Sequence, residues 1–365
     1  FVTVYEEDTE PGDKQEKINI NDYRFDSKSF ASIEGGDTTQ MYGADSTGMF
    51  IPPKKRNYRV EYYMNELITQ VDFSYLNETY QPFTGYYTPS YLNVGFNALF
   101  QISLTDLLEN HRITGGVRLN IDFINNEYLF SYTNLKKRLD KEIVFHRRTS
   151  EYNIAYISYI RYHTYNLYYI LSYPLSPVLR LQGTAKYSLE QAVFLATDQF
   201  NLRNKTQYFH IASLKGQVIY DNTRSLGLNL YLGTRYMVFG EYYELIEKGQ
   251  QNIAVLGFDI RNYQRVSRTL IWANRLAAST SFGNNKLIYY MGGVDNWIGA
   301  KFRTDTPIDY TQNYAYQTIA TNMRGFSQNI RNGNSFVVFN TELRFPVFRY
   351  FSNRPLKSDF LNNFQ

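Results

Sequence analysis

Residues 178–190 alternate without a break: Leu179, Leu181, Gly183, Ala185, Tyr187 and Leu189 fall on one side, and Arg180, Gln182, Thr184, Lys186, Ser188 and Glu190 on the other. Side chains of a β-strand point alternately to opposite faces, so this stretch predicts a strand with one apolar and one fully polar surface. The scheme recurs at 225–238, where Leu226, Leu228, Leu230, Leu232, Tyr236 and Val238 oppose Ser225, Gly227, Asn229, Gly233 and Arg235. It recurs again at 112–123, with Ile113, Val117, Leu119, Ile121 and Phe123 opposite Thr114, Arg118, Asn120 and Asp122. Period-2 segments of this kind begin near Asn57 and imply an all-β fold.

Two environments can take up an apolar strand face, the core of a soluble sandwich or the hydrocarbon of a bilayer. Composition separates them. The chain is 17% aromatic, with 35 Tyr and 26 Phe, yet 20% charged, and its mean hydropathy is −0.44. No run approaches the ~18 apolar residues that a membrane helix needs, which excludes helical spanning. A barrel that is polar inside and apolar outside averages to such a hydrophilic chain, and its aromatic belts supply the rings. Connection lengths agree. Tight links are expected at 107–111, 173–177 and 221–225, and longer polar ones at 76–89, 190–206 and 241–250, the asymmetry of a barrel with short turns at one rim and long loops at the other. The expected fold is a transmembrane antiparallel β-barrel. About eleven strands precede a long connection at 284–334 and one follows it, about twelve in all.

Residues 1–56 are rich in Asp, Glu, Gly, Ser and Thr and end in ProProLysLysArg. They read as a polar linker or the tail of a preceding periplasmic domain, with the barrel occupying 57–365. Residue 1 is Phe and no signal-peptide pattern follows it, so the chain reads as a mature piece of something longer.

Catalytic chemistry finds no support. His111, His146, His163 and His210 are scattered, without the spacing of a metal site, and there is no cysteine to hold a metal or form a disulfide. GlyPheSerGlnAsn at 325–329 lacks the second glycine of a nucleophile elbow. Asp295 beside Trp297 reads as a turn former. Arg118, Asp122, Arg180, Lys186, Arg235, Asp259 and Arg261 read as a solvated interior. A net charge of +4 without a dense basic block argues against nucleic acid as a partner. No catalytic residue, metal or cofactor is expected.

The long connection carries MetGlyGlyValAspAsnTrp at 291–297 and MetArgGlyPhe at 323–326. These resemble the BamA-like superfamily of outer-membrane assembly and secretion barrels (bacterial surface antigen barrels), whose sixth extracellular loop has a Val-Arg-Gly-Phe/Tyr motif preceded by a Gly-Gly element. Within it, the chain is similar to the branch that follows a periplasmic TolB-like β-propeller. The resemblance covers about 57–365. It implies that the long loop folds into the lumen of a barrel of about sixteen strands, the closing ones lying beyond this chain.

Arg324, Gly325 and Phe326 match the tip, Met323 replaces the usual valine, Gly292 and Gly293 match the Gly-Gly element, and Glu342 matches the acidic partner on the next strand. That strand's alternation sets Val337, Phe339, Thr341, Leu343 and Phe345 outward and Asn340, Glu342 and Arg344 inward. Glu342 is thus expected to face Arg324, while Gly325 makes a sharp turn and Phe326 wedges against the wall.

Location in the outer membrane of a Gram-negative bacterium is implied, with lipid, unfolded outer-membrane proteins and periplasmic accessory proteins as partners. The implied function is protein insertion, assembly or translocation. A passive channel or solute transporter, or a membrane anchor for a propeller, are the alternatives.

Overall fold

A computed structural model describes residues 60–71, 80–83, 85, 97–120, 125–154, 158–195, 199–227, 229–246, 251–267, 270–294 and 301–347. The expected linker 1–56 lies outside them, as do Asp122, Asp295 and Trp297.

The architecture is all-β. In chain order the strands are β1 (Tyr62–Val71), β2 (Gln81–Pro82), β3 (Asn97–Asp106), β4 (His111–Asn120), β5 (Asn126–Asn134), β6 (Asp140–Ile154), β7 (Ser158–Pro174), β8 (Leu179–Phe194), β9 (Gln207–Asp221), β10 (Arg224–Gly227), β11 (Leu230–Leu245), β12 (Asn252–Arg265), β13 (Ile271–Phe282), β14 (Lys286–Met291), β15 (Tyr314–Ile319), β16 (Arg331–Gly333) and β17 (Ser335–Arg344). One five-residue helix, α1 (Gln199–Arg203), interrupts the β8–β9 link.

Twelve strands form one antiparallel path, β1-β3-β4-β5-β6-β7-β8-β9-β11-β12-β13-β17, with β10 added beside β11 as the thirteenth strand of the sheet. The path is open, ending at β1 and β17 among the described residues. Eleven of its strands precede the long connection and one follows it, as the alternation predicted. The longest connections lie on one rim, together with the short links 121–125 and 155–157. Links 107–110, 135–139, 175–178 and 266–270 are short and share the other rim, whereas the three longest are 72–96, 195–206 and 283–334.

One face of the sheet is apolar and exposed. On β17, Val337, Phe339 and Leu343 are 69%, 63% and 63% exposed, while Phe336 and Val338 are buried. On β8, Leu181 and Tyr187 are exposed and Ser188 and Glu190 are buried; on β9, Leu214 and Val218 are exposed and Ser213 is buried. Register extends the apolar face sideways: Leu181, Val218, Val238, Phe258, Ala278 and Val337 form one continuous row across six strands.

Three expectations about element boundaries are corrected. The segment 225–238 is not one strand: Asn229 takes a left-handed φ of 55°, which Asn tolerates, and β10 folds back on β11. Leu230 is buried with Tyr263, Ile271 and Ala273 instead of facing outward. The links expected at 190–206 and 241–250 are partly strand, because β8 runs to Phe194 and β11 to Leu245. Both extensions are held by ladder pairing, Phe194 with Ile160 and Leu245 with Ile211.

The long connection is a structure in its own right. β14 pairs in parallel with β15 and antiparallel with β16, and β15 takes β2 as its other neighbour, making a four-stranded sheet in the order β16-β14-β15-β2. Its central strand LysLeuIleTyrTyrMet is buried on both sides. Leu287 and Tyr289 pack on Ile211, Tyr243, Ile253, Val255, Ala277, Phe336 and Val338 of the large sheet. Tyr290 meets Phe302 edge to face at 5.0 Å and donates to the Gln317 side-chain oxygen at 3.2 Å. Burying each such side chain contributes about 1.5–3 kcal/mol. The small sheet is therefore fixed against the inward face of the wall.

Candidate functional site

The Gly-Gly element and the Arg-Gly-Phe tip, some thirty residues apart in the chain, grip each other through backbone. Met323 N–H donates to Gly293 C=O at 2.7 Å, and Gly293 N–H donates to Phe326 C=O at 2.9 Å. Residues 323–326 thus form a turn whose two ends are both bonded to Gly293. Gly325 occupies its third position with φ +84°, a conformation that favours glycine.

Gly292 and Gly293 have φ of +103° and +82°. A Cβ on Gly292 would lie 2.0 Å from the Ser327 carbonyl oxygen, and one on Gly293 2.4 Å from the Gln328 side chain. Both positions exclude a side chain. Ala320 N–H to Tyr290 C=O (2.8 Å) and Ile330 N–H to Met291 C=O (3.0 Å) continue the seam on either side. The clasp is consequently anchored to the buried strand β14.

Asn340 on β17 donates its side-chain amide to Asn322 C=O at 2.9 Å, bringing the tip beside Glu342. Arg324 Nη1 lies 3.6 Å from Glu342 Oε1. The expected pair therefore meets, but Arg324 is 78% exposed and Glu342 31%. Such an exposed, loosely spaced pair is worth no more than about 1 kcal/mol. Glu342 is held more firmly by Arg344, whose Nε and Nη2 lie 2.8 and 2.7 Å from Oε2.

Arg344 was expected to face inward but not to be the partner. Residues i and i+2 share a strand face, so the pairing could have been found from that spacing alone. Arg344 also donates to Asn229 C=O at 3.2 Å and lies over the Tyr263 ring at 5.7 Å, which ties Glu342 to the β10–β11 turn.

Phe326 does not wedge against the wall. It is half-exposed and borders a shallow depression with Arg303, Thr306, Ile330 and Arg331. The turn is closed by backbone bonds, so its aromatic ring is left pointing away from the buried seam.

The expected solvated interior is in part dry. Arg118 is buried with Glu127 3.2 Å away, and His146, also buried, lies 3.8 Å from the same carboxylate. Asn166 approaches the other ring nitrogen of His146 at 3.3 Å. These residues come from β4, β5, β6 and β7 and form one inward cluster. A second cluster centres on Asp259, which accepts from Arg261 at 2.9 Å and Arg275 at 2.6 Å. Lys186 lies over the Tyr168 ring, Arg235 donates to the Tyr263 hydroxyl, and of Arg118, Arg180, Lys186, Arg235, Asp259 and Arg261 only Arg180 is exposed. Opposite charges facing inward pair across neighbouring strands, Arg118 with Glu127 and Arg275 with Asp259.

Among the described residues no group of His, Asp and Glu could hold a metal ion, and no helix is long and apolar enough to cross a membrane, which bears only on helical spanning. Comparison with models of known protein families finds none that matches the chain, and comparison with curated protein sequences finds no match either.

Proposed function

We propose that this chain is the transmembrane β-barrel region of a BamA-like outer-membrane protein, and that it assists insertion, assembly or translocation of other proteins at that membrane. The observation that carries the membrane reading is the exposed outward face, a continuous apolar row, while the inward face buries Ser, Glu, Arg and His as well as the apolar residues that meet the small sheet. A soluble monomer rarely leaves more than a few hundred Å² of contiguous apolar surface open to water, whereas lipid asks for that surface. The rim with the long links would face outward from the cell and the short-turn rim the periplasm.

The assembly reading rests on the resemblance of the tip and Gly-Gly element together with the clasp that joins them and sets Arg324 near Glu342. The lipid bilayer, unfolded outer-membrane clients and periplasmic accessory proteins are the partners proposed. The barrels that the chain resembles carry a weak seam between first and last strand, and the edge of β1, the first strand of the path, is where a client strand could add, a constructive use of the liability that unpaired edges carry.

The test is reconstitution of the full-length protein in liposomes with an unfolded client barrel. The wild type should speed client folding, and Gly292→Ala, which opens the clasp, should slow it. Solute conductance without any acceleration would refute the assembly role and favour a channel; neither activity would leave an anchor.

A further inference from the structure

A cavity of about 240 Å³ lies between the wall and the small sheet, at the rim of the long links. Five aromatic rings line it: Tyr162 from β7, Phe209 from β9, Tyr243 from β11, Tyr316 from β15 and Phe83 just beyond β2. Glu190 of β8 is buried on the inward face, directly opposite Phe209 in the ladder, and receives the Tyr316 hydroxyl at 3.4 Å. The Tyr316 and Tyr243 rings stand 6.4 Å apart. No Lys, Arg or His is among the described residues that line the cavity.

Each feature narrows what could occupy this space. Aromatic faces carry negative electrostatic potential, and a carboxylate adds to it, so an anion is repelled. A hard metal ion requires six or more oxygen ligands, and although Glu190, Glu244, Gln251 and Asn285 also line the cavity, no group of three or more His, Asp and Glu among the described residues is placed to hold one. A purely apolar guest would have to sit beside a buried carboxylate. The volume is below the ~300–1,000 Å³ of sites for drug-sized ligands, so the guest is small. An organic ammonium satisfies all of these: its charge is spread over methyl groups that pack on rings, and it is held by cation–π attraction and a nearby carboxylate.

We propose that the cavity is a binding site for a small quaternary or methylated ammonium, with Glu190 as counter-ion and Tyr162, Phe209, Tyr243 and Tyr316 as the aromatic cage. Phe83 and Tyr316 belong to the small sheet, while the other cage residues belong to the wall. A guest therefore touches both bodies and holds one against the other. The site is independent of the assembly role and would exist in a channel or an anchor equally.

The experiment is calorimetric titration of the full chain in detergent micelles with choline, and separately with 3,3-dimethylbutan-1-ol, the uncharged carbon analogue of the same shape. Choline should bind saturably, with the neutral analogue at least ~10-fold weaker, a factor that corresponds to a cation–π and charge contribution of the usual size. Glu190→Gln should weaken choline by a similar factor and leave the analogue unchanged. Equal binding of the two compounds to wild type would overturn the proposal without any variant having to fold. So would absence of choline binding at concentrations of about 10 mM, or saturable binding of glucose in its place.

Discussion

Replacing Gly292 by alanine should damage the clasp far more than the same replacement at Gly325, although both glycines have positive φ. At Gly325 (φ +84°) a Cβ would meet nothing within 4 Å, so the cost is that of the left-handed conformation alone, about 1–2 kcal/mol. At Gly292 (φ +103°) the same strain is joined by a Cβ 2.0 Å from the Ser327 carbonyl oxygen. That carbonyl must move, and with it the turn whose bonds join Met323 N–H to Gly293 and Gly293 N–H to Phe326. Each bond contributes about 1 kcal/mol net, so the total for Gly292→Ala is about 3–4 kcal/mol.

Amide hydrogen exchange at Met323 and Gly293 reads this directly. Since about 1.4 kcal/mol is a tenfold change in an equilibrium, Gly292→Ala should speed exchange there by roughly a hundredfold or more, and Gly325→Ala by about tenfold. Equal acceleration by the two variants would show that the clash has no part in the effect, and the clasp would lose its physical basis.

Four further outcomes are expected. In double-mutant cycles with Glu342→Gln, Arg344→Ala should show a coupling of about 1.5–3 kcal/mol and Arg324→Ala under about 1 kcal/mol, measured by folding equilibrium in lipid vesicles; the reverse order would refute the assignment of Arg344 as principal partner. Leu214→Arg, on the outward face in the middle of β9, should cost about 2–4 kcal/mol, while Gln217→Arg, inward on the same strand, should cost less than half of that in the same assay.

Burial pushes the Tyr289 phenol up to about 12, against an ordinary value of about 10. A raised pKa stabilises the fold fully below pH ~10, and that stability is lost as pH rises toward ~12. Tyr289→Phe should therefore gain about 2–3 kcal/mol relative to wild type between pH 10 and 12 in denaturant titrations, and a constant difference would count against the burial. Finally, Asn340→Ala removes the bond to Asn322 C=O, and should raise proteolytic nicking near the tip without altering the folding of β17.

The strand path was legible because alternation is a local property. The eleven-plus-one division, the inward position of Glu342 and the short-turn rim all follow from period 2 and from turn residues. Where alternation continues through a reversal it misleads, and the β10–β11 turn at Asn229 was hidden in that way. The small sheet was missed for the opposite reason: LysLeuIleTyrTyrMet does not alternate, since β14 is buried on both faces, and its parallel partner β15 lies more than twenty residues on. The pairing of Gly293 with Met323 and Phe326 is a long-range backbone contact that leaves only the two glycines as its trace. Arg118, buried beside Glu127 and His146, reads as solvated in the sequence because a single strand cannot tell how closely its neighbours' charges approach.

The central claim is that the outward apolar face meets lipid. The chain has no native cysteine, so single cysteines placed along 336–343 in the reconstituted protein can each carry one spin label. Accessibility to oxygen, which concentrates in hydrocarbon, should peak at 337, 339, 341 and 343, and accessibility to a water-soluble relaxant should be low at those same positions. If the labels at 337, 339 and 343 were instead freely reached from water, the face would be solvent-exposed and the membrane-barrel account would be contradicted.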